Sequence, residues 1–183
     1  LLAIPFFIFA GELMLHGGIA ARLVRLASSA VGWMRGGLGQ VNVFSSMLFG
    51  GISGSAVADV SALGSLLIPV MKEKGYEDDY AVNVTVTSSI AGIMIPPSHN
   101  MILYVVAAGG GMSVSKLFIA GIIPGVVMCL GLAFAARWIA IRRNYPVEEF
   151  AGWGPIAIAG LAALPGLFTA VIIVGGALSG VFT

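Results

Sequence analysis

The chain alternates between long apolar runs and short polar or basic stretches. A helix that crosses a bilayer needs about 20 predominantly apolar residues. Residues 1–15 form a first candidate, and residues 41–71, 81–108, 118–141 and 155–178 form four more. Between the first two lies Gly17 to Gln40. Here Ile19, Leu23, Ala27, Ala30, Val31 and Met34 recur at helical spacing, interrupted by Arg22, Arg25 and Arg35. That spacing predicts an amphipathic helix lying at a membrane surface.

Runs 41–71 and 81–108 are not uniform. Gly50-Gly51-Ile52-Ser53-Gly54-Ser55 interrupts one; Gly92 and Ile95-Pro96-Pro97-Ser98-His99-Asn100 interrupt the other. Two successive prolines remove two backbone donors and cannot continue a helix. Opened backbone in lipid is costly unless protein or a wet cavity receives it. Two interrupted apolar segments close in sequence therefore predict a ligand site near the bilayer midplane, the arrangement that transporter folds share.

Composition agrees with a lipid-solvated protein. Only 9% of the 183 residues are charged and 58% are hydrophobic, against about 25% charged in ordinary soluble domains. Disorder, collagen, coiled coil and disulfide scaffolds are excluded on the same grounds. The net charge of +1 offers no basic field for nucleic acid. Cys129 stands alone in an apolar run and reads as an inert small side chain. Both ends of the sequence read as cut, which predicts a piece of a larger membrane protein.

The basic residues set the expected topology. If 41–71 is a re-entrant hairpin, Arg22, Arg25 and Arg35 share the cytoplasmic side with Lys72 and Lys74. Arg137, Arg142 and Arg143 then return to that side, and only Lys116 of the nine basic residues lies outside.

The hairpin tip carries the candidate chemistry. The first arm is expected to end near Ile52 with unpaired carbonyls, and the second to begin near Ala56 with free amides. Such a tip offers oxygen ligands to a hard cation and N–H groups to a carboxylate. Ser53 and Ser55 add hydroxyls, and Gly54 lets the backbone turn. Ser88, Ser89 and Gly92 before the second break, and Ser98 and Asn100 after it, repeat the offer. Close helix packing is the competing account of the Gly and Ser residues.

Asp59 is the one acidic residue deep in an apolar run. It reads either as an intramembrane functional carboxylate or as a first-turn residue stabilising its helix through the dipole. His99 suits a substrate hydrogen bond or proton relay, or equally a structural imidazole bonding a freed carbonyl. Glu12 reads as an interfacial charge paired with Arg22 or Arg25. Ser55, Asp59 and His99 also contain the residue types of a hydrolytic triad, but Gly51-Ile52-Ser53-Gly54 lacks the final glycine of a nucleophile elbow.

These residues carry a family pattern. Gly51-Ile52-Ser53-Gly54-Ser55-Ala56-Val57-Ala58-Asp59, with Ala62-Leu63-Gly64 and Leu67-Ile68-Pro69, resembles the signature of the large permease (M) subunit of tripartite ATP-independent periplasmic (TRAP) transporters. Ile95-Pro96-Pro97-Ser98, Leu117-Phe118-Ile119-Ala120-Gly121-Ile122-Ile123-Pro124-Gly125 and Ile4-Pro5-Phe6-Phe7-Ile8-Phe9-Ala10-Gly11-Glu12-Leu13-Met14 resemble three further blocks. His99-Asn100 departs from the apolar-Pro pair of many members.

The resemblance implies an all-α polytopic membrane protein with an elevator fold, of which this chain is one repeat of two. It implies Na⁺-coupled import of small organic acids delivered by a periplasmic binding protein, with a small membrane subunit as second partner, in a bacterial or archaeal inner membrane. H⁺ as coupling ion stays open. No cofactor other than the coupling ion is expected. The ends divide as 1–40 (span end and amphipathic arm), 41–125 (transport core) and 118–183 (scaffold helices). The expected ion ligands are Ser53, Gly54, Ser55, Ser88, Gly92 and Pro97, with Na⁺ at Ser53, Ser55 and Gly92. The expected substrate contacts are Ser55, Ala56, Asp59, Ser98, His99 and Asn100. Gly175-Gly176-Ala177-Leu178-Ser179-Gly180 echoes the tip but reads as the start of a next scaffold helix.

Overall fold

The computed structural model describes residues 9, 13, 16–109, 111–150 and 152–179. The first apolar run, with Glu12 and the block ending at Met14, therefore lies outside them apart from single positions, and so does Gly180. The described residues are helical and contain no strand. Among the described residues eight helices follow one another: α1 (Ile19–Val31), α2 (Gly37–Ser53), α3 (Ala56–Glu73), α4 (Asp78–Ser88), α5 (Ala91–Met94), α6 (His99–Ala107), α7 (Val114–Arg142) and α8 (Trp153–Leu178).

Among the described residues two helices are long and apolar enough to cross a membrane, Val114–Arg142 and Trp153–Gly176. The pair Asp78–Met94 and His99–Ala107, bent by 52°, makes a third if taken as one broken span. At about 1.5 Å per residue, the 29 residues of α7 exceed a 30 Å hydrocarbon core, so α7 tilts or protrudes.

The amphipathic segment is shorter than the Gly17–Gln40 stretch that its spacing suggested. The chain leaves the helix at Gly32, turns, and restarts at Gly37. Of the predicted stripe, Leu23 and Ala27 are buried, with Ala20 beside them. They pack against α2 and α8, where Ala20, Leu23 and Ala27 join Val41, Phe49, Ile52, Leu63 and Ala163 in one core cluster. Gly175 and Gly176 are still inside α8. The structure thus places them at the end of one helix and not at the start of another.

A second cluster gathers at the opposite flank from Leu38, Val43, Met71, Ala91, Cys129 and Ala136. It runs into an aromatic trio at one end of the molecule. Tyr145, in the loop after α7, packs at a tilt against Tyr76 at 4.4 Å and Tyr80 at 4.9 Å between ring centres. The Glu77 amide and the Arg143 guanidinium both donate to the Tyr145 hydroxyl at 3.4 Å. Arg143 binds Asp79 through two bonds of 3.0 and 3.1 Å and also pairs with Glu77. The Asp79 carboxylate holds the Arg143 guanidinium protonated beyond its usual range. Burial pushes the Tyr76 hydroxyl up to about 12, so it stays neutral in physiological buffers.

Lys74 pairs with Glu148, Lys72 with Asp78 at 2.9 Å, and the Gly36 amide donates to the Pro146 carbonyl at 3.2 Å. The start of α2, the α3–α4 turn and the end of α7 therefore share one end of the molecule. The basic residues Arg35, Lys72, Lys74, Arg142 and Arg143 gather there with it.

Exposed ion pairs contribute little, about 0–1 kcal/mol each. The aromatic trio holds the loop more firmly. Tyr145→Ala is expected to cost about 3 kcal/mol, read as a lowered melting temperature of the intact protein in detergent. Arg143→Ala should lower the melting temperature less, because its ion pairs are exposed.

Candidate functional site

The chain reverses at Ser53-Gly54-Ser55. Gly54 caps α2 with φ 61°, a left-handed conformation that other side chains adopt at a penalty, and its amide closes back on the Gly50 carbonyl at 2.8 Å. Ser55 is extended and begins α3 as its cap; its hydroxyl accepts from the Ala58 amide at 3.4 Å. Ser53 and Ser55 also touch, the Ser55 amide facing the Ser53 hydroxyl at 3.4 Å. A serine at each side of one glycine thus ends one helix and starts the next.

The second break lies against this turn. The helix tightens into a turn at Ser89 and Ile90, where the Ile90 amide reaches the Thr87 carbonyl at 3.4 Å; it continues as α5 and stops at Ile95. Residues Ile95-Pro96-Pro97-Ser98 are non-helical, with the Pro96–Pro97 peptide cis. Gly50 and Gly92 bring the two backbones together. A Cβ on Gly50 would sit 2.6 Å from both the Cα and the nitrogen of Gly92. A Cβ on Gly92 would lie 3.3 Å from the Gly50 Cα and 3.4 Å from the Ser55 carbonyl oxygen. One on Gly51 would meet the Pro96 carbonyl at 3.4 Å.

Four helix ends therefore converge. The C-termini of α2 and α5 present carbonyls, and the N-termini of α3 and α6 present amides. Gly121 and Gly125 of α7 pack against Met94, Ile95 and Met101. They stand well inside a helix that begins at Val114, so the break lies at depth along the bundle. Ser98 caps α6 without turning its hydroxyl onto that helix; the oxygen is buried and has no hydrogen-bond partner.

The predicted residues divide into two groups. Ser53, Gly54, Ser55, Ala56, Gly92, Pro97, Ser98 and His99 lie at the meeting of turn and break, and Asn100 follows in α6. Ser88 points elsewhere. Its hydroxyl lies 3.0 Å from that of Ser46 and 3.0 Å from the Asn42 side-chain oxygen. Asn42 in turn donates to the Thr85 hydroxyl at 2.6 Å, and Thr85 to the Ala81 carbonyl at 2.8 Å. This track of buried polar groups stitches α2 to α4.

Sequence reasoning passed over Asn42, Ser46 and Thr85. Polar residues inside an apolar run must find partners in protein. The spacing Asn42–Ser46 against Thr85–Ser88 places both pairs on facing helix stripes, a signal that was available in the sequence.

Asp59 lies in the first turn of α3, fully buried, with Ser46 facing it. Neither carboxylate oxygen has a hydrogen-bond partner. Ser55 is engaged as a helix cap and Asp59 is unpartnered, so Ser55, Asp59 and His99 do not form the hydrogen-bonded relay of a hydrolase. Among the described residues no group of three His, Cys, Asp or Glu is placed to hold a metal ion. An ion at the turn would have to use carbonyl and hydroxyl oxygens.

Comparison with known proteins agrees with the motifs. The family model of the tripartite ATP-independent periplasmic transporter DctM component matches residues 1–183. The C4-dicarboxylate TRAP transporter large permease protein DctM of Vibrio cholerae is 42% identical over the whole chain, which covers 40% of that protein. The sialic acid TRAP transporter permease protein SiaT of Haemophilus influenzae is 43% identical over the whole chain and 29% of its own length. The 2,3-diketo-L-gulonate TRAP transporter large permease protein YiaN of Escherichia coli is 42% identical, again over the whole chain and 43% of its own length. The chain thus spans less than half the length of these relatives, and the portion it spans includes the turn and the break. With a family model matched from end to end and the interrupted helices where the motifs place them, the chain belongs to the DctM family, the large permease component of tripartite ATP-independent periplasmic transporters.

Proposed function

We propose that this chain forms the first repeat of a secondary active importer in a bacterial or archaeal inner membrane, and that the meeting of turn and break is its coupling-ion site. The convergence of four helix ends on Ser53-Gly54-Ser55 carries this reading. In lipid, such exposed backbone needs a ligand or a wet cavity. The carbonyl ends of α2 and α5, with the Ser53 and Ser55 hydroxyls and Gly92, suit Na⁺, a hard cation that prefers oxygen. The amide ends of α3 and α6, from Ala56 and from Ser98 to Asn100, suit a substrate carboxylate. Ser88 holds α4 in register with α2 through Asn42 and Ser46, instead of serving as a ligand.

In this reading the α2–α3 pair enters and leaves the bilayer on one side, and the described repeat works with a second one in an elevator movement. A periplasmic binding protein delivers the substrate, and a small membrane subunit braces the scaffold. The relatives' names (C4-dicarboxylate, sialic acid and 2,3-diketo-L-gulonate transporters) share an acidic substrate, which supports small organic acids as the class. Ion and substrate are linked: each raises the other's affinity by the same factor.

The test is uptake by the intact permease, reconstituted with its binding protein, of each of these three acids under an inward Na⁺ gradient. Uptake of at least one acid should require Na⁺, and Ser55→Ala should weaken that dependence about tenfold, the loss of a hydrogen-bonding group to a charged ligand. Unchanged Na⁺ dependence in Ser55→Ala would remove the site assignment. Uptake driven equally by a proton gradient without Na⁺ would favour H⁺ coupling.

A further inference from the structure

We propose that the end of α7 holds an anionic phospholipid headgroup, with Arg142 as its charged contact and Trp138 as the ring beside the glycerol region of the lipid. This contact is independent of the ion site.

α7 turns one face outward along its length. Ile123, Val127, Leu130, Phe134, Trp138 and Ile141 follow one another at steps of three or four residues, and all six are exposed. That spacing lines one side of a helix. Because α7 is long and apolar enough to cross the bilayer, the stripe is suited to meet acyl chains. Its last turns carry an indole, and indoles collect where hydrocarbon gives way to headgroups.

Charge appears at the same point. Arg142 lies one turn beyond Trp138, with its guanidinium 3.9 Å from the centre of the Trp138 ring. A cation over an indole face is held in place without being neutralised. Its basic neighbours differ. Lys72 pairs with Asp78, Lys74 with Glu148, and Arg143 with Glu77 and Asp79. Among the described residues Arg142 has no carboxylate partner, and neither have Arg35 and Arg137. The Gly36 backbone packs directly on Ala140, which brings Arg35 to the last turns of α7 as well. The carboxylates at this end without a basic partner among the described residues, Glu73 and Glu149, are not on α7. Glu73 closes α3, and Glu149 lines a cleft with Ser28, Ser29 and Trp33. Uncompensated positive charge thus gathers where the exposed stripe of α7 ends.

The loop after α7 is built for the same layer. Phe150 stands edge-on to Trp33 at 5.9 Å and to Trp153 at 5.8 Å. All three rings are exposed, Trp153 by 80%, and Trp153 opens the second spanning helix. An exposed aromatic row between two span ends is disfavoured in water and favoured at the membrane interface. The phosphate of a lipid in that layer supplies the counter-charge that Arg142 lacks, and guanidinium N–H groups match phosphate oxygens. A zwitterionic lipid brings its own cation to compete, so an anionic headgroup is preferred.

Quenching of tryptophan by brominated lipid tests this on the full-length permease in bilayers. Phosphatidylglycerol and phosphatidylcholine, each brominated near the top of the acyl chain, are compared at equal mole fraction. The contribution of Trp138 is the difference between each protein and the same protein carrying Trp138→Phe. In wild type, phosphatidylglycerol is expected to occupy the site about threefold to fivefold more often than phosphatidylcholine, the effect of one basic side chain at an anionic surface. Arg142→Gln is expected to remove the preference, and Arg142→Lys to keep most of it. Lys116→Gln removes one charge at the opposite end of α7 and should leave the preference unchanged. Equal quenching by the two lipids in wild type would overturn the proposal, and so would a preference that survives Arg142→Gln. Quenching by neither lipid would show that the rest of the permease covers this face, and would overturn it too. An equal loss in Lys116→Gln and Arg142→Gln would reduce the effect to general charge attraction and remove the assignment to Arg142. Melting temperatures identify any variant that is simply unfolded.

Discussion

Gly50→Ala in the intact permease is expected to abolish most Na⁺-dependent uptake and to lower stability by about 1–3 kcal/mol. Two effects of opposite sign meet at this position. Alanine inside a helix is favoured over glycine by about 1 kcal/mol. The added Cβ, however, would lie 2.6 Å from the Gly92 Cα and nitrogen, both backbone atoms of the facing helix. Backbone cannot rotate away as a side-chain tip can, so the seam between turn and break must open. Gly131→Ala is the control. It lies inside α7 with nothing within 4 Å of a new Cβ, so the helix-propensity gain stands alone and the variant should be as stable as wild type or slightly more so. Equal behaviour of the two variants in a thermal melt would show that the close approach of Gly50 and Gly92 does not hold the site.

Asp59→Asn is expected to weaken Na⁺-dependent uptake about tenfold or more while leaving stability in Na⁺-free buffer unchanged or raised. A buried carboxylate without a hydrogen-bond partner costs folding energy that a cation nearby would offset. The competing account of Asp59 is its place in the first turn of α3, where a negative charge favours the helix dipole by about 0.3–1 kcal/mol. That account predicts the reverse pattern, a modest loss of stability with Na⁺ dependence intact. The sign of the stability change in Na⁺-free buffer therefore separates the two.

The breaks were the most legible feature of the sequence. Gly-Ser-rich and Pro-Pro interruptions in apolar runs have few physical explanations, and the helix ends at Ser53 and Ala56 fall where carbonyls and amides were expected to open. Helix starts were less legible. The apolar pattern begins at Val41, yet α2 begins at Gly37, because Gly37 to Gln40 are buried by neighbouring helices that pattern alone does not supply. The Gly17–Gln40 stretch divides for a related reason: the turn at Gly32 to Gly36 is set by its contact with the loop after α7, more than a hundred residues away.

The candidate site shows the same limit. Ser88 and Ser55 look alike in sequence, and only the facing stripe of Asn42 and Ser46 shows that Ser88 is already engaged. The orphaned hydroxyl of Ser98 depends on how two distant breaks meet, which no local pattern encodes.

In the proposed site a cation sits between the hairpin turn and the break. Thermal unfolding of the purified full-length permease, in NaCl against choline chloride at matched ionic strength, tests it most directly. A ligand held only by the folded state adds RT ln(1 + [L]/Kd), about 2.7 kcal/mol at a hundredfold excess over Kd. A Na⁺-specific rise in melting temperature that shrinks in Ser55→Ala is expected. An equal melting temperature in both salts, or a rise that Ser55→Ala leaves intact, would contradict it.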